Sequence, residues 1–128
     1  QYLGQFPAQV FDKINENFIR CSFFELVSRY LSMCYTFAIE QNNSEGRADF
    51  EMTGIPGTDY YTDDRLVEFK YFKAKDAEKM LALDAPLADH VDQVHRYADD
   101  TLRRFPNYHV RTYVVYICAN RGWKCWEV

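Results

Sequence analysis

A chain of 128 residues that is 48% hydrophobic and 17% aromatic is long enough to bury one core and too apolar to stay disordered. It has no run near the roughly 18 apolar residues that a membrane span needs, so no membrane segment is expected. The net charge of −4 argues against a protein that coats nucleic acid by bulk electrostatics. It does not argue against a site where a bound divalent cation offsets acidic ligands locally.

The chain opens at Gln1 without a basic, apolar leader, so no signal peptide is visible; a processed end and a domain cut from a longer protein would look the same, and the second is expected. Helical periodicity is expected over residues 10–33. Val10, Phe11, Ile14, Phe18 and Cys21 form one stripe, and Ile19, Phe23, Val27 and Tyr30 a second, so this helix should be buried on two sides. Residues 34–40 are aromatic and β-branched and read as a strand. Asn42, Asn43, Ser44 and Gly46 make a turn. A strand over 47–53 follows, where Ala48, Phe50 and Met52 alternate with Arg47, Asp49 and Glu51.

Residues 54–64 hold two Gly, a Pro and three Asp and read as a loop. The strand 65–72 comes next, then a charged segment. Pro86–Phe105 reads as an amphipathic helix with Leu87, Val91, Val94, Ala98, Leu102 and Phe105 on its apolar stripe and Pro86 in its first turn. A strand over 109–118, a turn at Asn120–Gly122 and a short strand over 123–128 complete one α/β domain. Cys21, Cys34, Cys118 and Cys125 form no C-x-x-C pair and read as buried thiols of a reducing, cytoplasmic compartment. His90, His95 and His109 show no zinc spacing.

The chemistry concentrates in Glu68-Phe69-Lys70. Side chains alternate faces along a strand, so Glu68 and Lys70 share one face while Val67, Phe69 and Tyr71 pack on the other. Asp49 lies on the polar side of the preceding strand, and a hairpin would bring it to Glu68. Two carboxylates about 4 Å apart repel by roughly 4 kcal/mol at an effective dielectric of about 20, and therefore call for a shared proton, a salt bridge or a cation. Oxygen ligands without His or Cys suit Mg²⁺ or Mn²⁺. Such an ion polarises a phosphoryl oxygen and acidifies water, and Lys70 would stabilise a charged transition state or orient the attacking water. The plain alternative is an exposed Glu68–Lys70 ion pair worth about 0–1 kcal/mol, with Asp49 bridged to Arg47.

Gly46-Arg47-Ala48-Asp49-Phe50, a turn-containing loop, and Val67-Glu68-Phe69-Lys70-Tyr71 together resemble the PD-(D/E)XK nuclease superfamily. The nearest likeness is to its bacterial branch in which this domain follows an ATPase-like domain at the C-terminus. Ala48 stands where the name-giving motif has proline, away from the chemistry. The resemblance covers nearly the whole chain and implies a restriction-endonuclease-like αβββαβ core, a mixed central sheet flanked by helices. It implies Asp49 and Glu68 as metal ligands, the Phe69 backbone carbonyl as a further ligand and Lys70 as the catalytic lysine. The implied activity is Mg²⁺- or Mn²⁺-dependent hydrolysis of phosphodiester bonds, in DNA first, with an ATPase-like domain of the same chain as a partner. The alternative is a nuclease-fold module that binds nucleic acid or that adjoining domain without cutting.

Gln93 and Tyr97 lie four apart on one helix flank, and Gln-x-x-x-Tyr resembles a motif that supports substrate near the metal in several nuclease branches. His90 and Arg104 fall near the same flank, within reach of a phosphate. In the first helix Glu16 and Glu25 are the candidates for one more carboxylate. Glu16 better resembles the family pattern, while Glu25 interrupts an apolar stripe and would need a partner if buried. Lys70, Lys73, Lys75 and Lys79 form a basic cluster that suits a nucleic-acid backbone or a solvated face. Trp123 and Trp126 suit base stacking or, more simply, packing. No G-x-x-x-x-G-K-[ST] loop occurs, so ATP chemistry would lie elsewhere.

Overall fold

The computed structural model describes residues 16–39, 49–118 and 121–128. The elements run α1 (Glu16–Leu31), β1 (Tyr35–Ile39), β2 (Phe50–Gly54), β3 (Asp63–Phe72), a 3-10 turn (Ala74–Asp76), α2 (Ala77–Leu81), α3 (Ala88–Arg104), β4 (His109–Cys118) and β5 (Gly122–Glu127). Helix and strands agree with the sequence-based expectation to within a few residues. The start of the first helix, the 42–46 turn and the first residues of the second expected strand lie outside the described residues.

The strands form one mixed sheet in the order β1-β2-β3-β4-β5. Neighbours are antiparallel except β3 and β4, which run parallel over ten residue pairs from Asp63↔His109 to Phe72↔Cys118. A parallel pair requires a crossover, and the segment carrying α2 and α3 supplies it. The part of this segment read as merely charged is helical, because Ala77 and Met80 bury against the core.

β3 is therefore the central strand, flanked on both edges and covered on both faces. On one face Val67 and Phe69 meet α1, where the Phe23 ring stands edge-on to Phe50 at 5.0 Å and to Phe69 at 5.1 Å between centroids. On the other face Leu66, Val114, Tyr116 and Cys118 pack beneath α3. The face of α3 turned inward is Val94, Tyr97, Ala98 and Thr101. Leu87, Leu102 and Phe105 of the expected stripe are exposed. The i, i+3, i+4, i+7 run that starts at Val94 reaches Thr101, not Leu102. Pro86 precedes the helix, whose N-cap is Leu87.

Gly54 closes β2 where the chain turns back, and a Cβ there would fall 1.4 Å from the Tyr60 carbonyl oxygen; only glycine fits. All four cysteines are free thiols, yet only Cys118 is buried. The expectation of four buried thiols is corrected, since Cys21 and Cys125 face outward from α1 and β5. Among the described residues no helix is long and apolar enough to cross a membrane.

Candidate functional site

The site grows from the register of the β2–β3 hairpin. Phe50 pairs with Val67, so Asp49, one residue ahead of β2, arrives beside Glu68. Its Oδ2 accepts a hydrogen bond from the Phe69 backbone N–H at 3.0 Å. In an extended strand the N–H and C=O of one residue project to the same edge, so the Phe69 carbonyl is aimed to the Asp49 side as well. Alternation places Glu68 and Lys70 together on the α3 face, with Lys70 Nζ 3.2 Å from Glu68 Oε1.

Burial decides what this pair means. The Glu68 side chain is 1% exposed and Lys70 23%, which excludes the exposed ion pair worth next to nothing. Lys70 meets Glu68 at Oε1; Oε2 is buried and, among the described residues, no donor reaches it. Burial first, and then the neighbouring Asp49 carboxylate, push the Glu68 carboxyl up to about 7, against the opposing pull of Lys70. A buried oxygen with no donor beside a second carboxylate is a strained arrangement for an anion and a suitable one for a cation. Among the described residues no group of three or more His, Cys, Asp or Glu is arranged around a metal position. Two carboxylates, a strand carbonyl and water are nonetheless the kind of oxygen set that Mg²⁺ accepts, because it keeps several of its waters.

Beside Lys70 stands a group that the sequence reading did not single out. Lys70 pairs with Tyr116 across the parallel strands, so Tyr116 shares its face. The Tyr116 hydroxyl accepts the Leu87 backbone N–H at 2.8 Å and lies 2.5 Å from His90 Nδ1. The only sequence signal for Tyr116 was its place in the alternation of strand 109–118, which marked it as buried and gave no hint that its hydroxyl would meet α3. Asp64 was likewise missed, assigned to the loop 54–64. It is fully buried on the same face as Leu66 and Glu68, held by Thr53 Oγ1 at 3.2 Å and pushed up to about 8 by burial and by Glu51. The i, i+2, i+4 spacing of Asp64, Leu66 and Glu68 was the available sign.

Gln93 and Tyr97 do meet, Gln93 Nε2 donating to the Tyr97 hydroxyl at 2.9 Å. With His90 they occupy i, i+3 and i+7 on α3, one continuous ridge. Arg104 lies on the same flank seven residues beyond Tyr97, about 10 Å further along the helix, with its guanidinium 3.7 Å from Asp100 and over the Phe105 ring. Glu25 is exposed and ion-paired with Arg29 one turn away, so the conditional need for a buried partner does not arise. The side chain of Glu16 lies outside the described residues. Lys73, Lys75 and Lys79 are exposed. Trp126 packs edge-on against Tyr116 at 5.1 Å and donates to the Asp84 carbonyl, which is packing. Trp123 is half exposed at the rim of an apolar groove of about 570 Å³ between α1 and β3–β5.

No curated protein and no solved structure matches the chain. A family model does, over residues 14–127, a span that contains the whole described sheet, the Asp49–Glu68–Lys70 constellation and the α3 ridge. By that match and this architecture, the chain belongs to the PD-(D/E)XK nuclease superfamily.

Proposed function

We propose that the domain is a divalent-metal-dependent nuclease that hydrolyses phosphodiester bonds in DNA. The observation that carries the reading is the buried Glu68 beside Asp49, one oxygen on Lys70 and the other without a donor among the described residues. In this reading Asp49, Glu68 and the Phe69 carbonyl hold Mg²⁺ or Mn²⁺, with Glu16 as a further candidate. The ion, when bound, supplies a Lewis acid for a phosphoryl oxygen and lowers the pKa of water. Lys70 is a cation and therefore no ligand. From 3.2 Å it holds the Glu68 carboxylate in place, and in this reading its ammonium orients the attacking water and offsets charge that builds on the phosphate. Asp49 also pins the Phe69 amide, which fixes the direction of the strand at the site.

Gln93 and Tyr97 serve the substrate: an amide can hydrogen-bond a phosphate or base edge, and a phenol can stack. Four free thiols suit a reducing compartment such as the cytoplasm. An ATPase-like domain on the N-terminal side, inferred from the family resemblance, completes the proposal. The test is incubation with circular and linear DNA in Mg²⁺, Mn²⁺ or EDTA, with Lys70→Ala as control. Cleavage is expected in the two metals alone, and about a hundredfold slower or worse in the variant. DNA binding without cleavage under every condition would turn the assignment to the non-cleaving module.

A further inference from the structure

We propose that His90 is a neutral hydrogen-bond donor to a backbone phosphate oxygen of the substrate, fixed in its Nε2–H form by the Tyr116 hydroxyl. The inference rests on the nuclease reading and deepens it.

The hydroxyl of Tyr116 is fully buried and has one proton to give and two lone pairs to offer. One lone pair takes the Leu87 N–H at 2.8 Å, and His90 Nδ1 stands 2.5 Å away. If Nδ1 carried a proton, the hydroxyl would accept twice and its own hydrogen would be buried with no acceptor among the described residues, an expensive outcome. The hydroxyl therefore donates to Nδ1, and the ring proton resides on Nε2. The ring also stands edge-on to Tyr116, 5.4 Å between centroids, so its orientation is set twice.

The ring is neutral for a separate reason. Burial and the nearby Lys70 ammonium both lower its pKa, and only Asp89 opposes them. What the half-buried ring adds beside Lys70 is thus a directed N–H rather than a second cation. An N–H donor next to an ammonium, on a ridge that continues through Gln93 to Tyr97, matches an anionic oxygen of a phosphodiester chain.

Two measurements on the full chain in EDTA test this. Long-range ¹⁵N–¹H spectra near neutral pH should show His90 as the Nε2–H tautomer, and Tyr116→Phe should give a mixture of tautomers. Fluorescence anisotropy with a labelled duplex oligonucleotide at low salt should show His90→Ala weakened about tenfold, the size expected for one hydrogen bond to a charged group. His90→Gln, whose terminal amide reaches the Nε2 position, should recover most of that loss, and His90→Asn should not. An Nδ1–H or doubly protonated ring in the wild type would overturn the proposal without any variant. Equal affinity of a folded His90→Ala would do the same, and if that variant does not fold, a His90 Nε2 resonance indifferent to the oligonucleotide in the wild type decides it. Absence of cleavage with His90-dependent binding would refute the nuclease reading alone.

Discussion

Glu68→Gln should make the metal-free domain more stable, and only above mild acid. Glutamine keeps the volume, and its carbonyl oxygen can accept from Lys70 as Glu68 Oε1 does at 3.2 Å. The Glu68 carboxyl sits at about 7 against its ordinary 4.5. Below 4.5 it is protonated whether the chain is folded or not, so the fold loses nothing. Between the two values the unfolded chain has released the proton and the folded chain has kept it. Stability therefore falls as pH rises through this window, and the loss is complete above 7. The gap between the two values corresponds to about 3 kcal/mol. At about 3–5 °C per kcal/mol for a domain of this size, that is about 10 °C in Tm. Melts of both proteins in EDTA at about pH 5 and about pH 8 would measure it. Asp64, pushed from 3.8 to about 8, gives a slope of the same sign in both, so the difference between the proteins isolates Glu68. Mg²⁺ should then raise the wild-type Tm at the higher pH and leave the variant nearly unmoved. Parallel pH profiles for the two proteins would refute the reasoning.

Asp49→Ala should abolish Mn²⁺ binding in calorimetry, and equal heats from wild type and variant would remove Asp49 from the ligand set. Gln93→Ala with Tyr97→Phe should weaken DNA affinity several-fold, about 1 kcal/mol or more, while Mn²⁺ binding persists; a folded double variant that binds DNA like wild type would return the pair to ordinary packing. Gly54→Ala should cost more than about 4 kcal/mol or prevent folding, because its Cβ would meet the Tyr60 carbonyl at 1.4 Å; a soluble variant with an unshifted Tm would contradict this.

The sequence revealed the elements whose periodicity is dictated by a single face. Strand alternation at 65–72 placed Glu68 with Lys70, and the hairpin followed from the turn residues between the strands. It could not reveal which groups from distant segments would meet. Tyr116 and His90 are 26 residues apart, and nothing local in either position encodes a hydroxyl bonded to a ring nitrogen. The α3 stripe was misjudged by a small rotation because Thr101, polar by type, is buried at 4% while Leu102 is exposed at 38%. Packing against a particular sheet, rather than the hydrophobicity of the residue, set that choice. Asp64 escaped because the aspartates before it resemble a loop, which masked its i, i+2, i+4 place with Leu66 and Glu68; that Thr53 would hold it is not written in that spacing.

The parallel pairing of β3 with β4 also fixes when the site is completed as the chain leaves the ribosome. The hairpin of β2 and β3 is local and emerges first, whereas β4 begins at His109, beyond the entire crossover. Until then Asp49 and Glu68 stand in water, where two carboxylates side by side are tolerated. Water is stripped from Glu68 only when β4 and α3 close over it, so the unfavourable desolvation coincides with the largest gain in apolar contact. A nascent chain halted before His109 would carry both acids as ordinary surface groups, with no half-buried charge to unravel the strands already made.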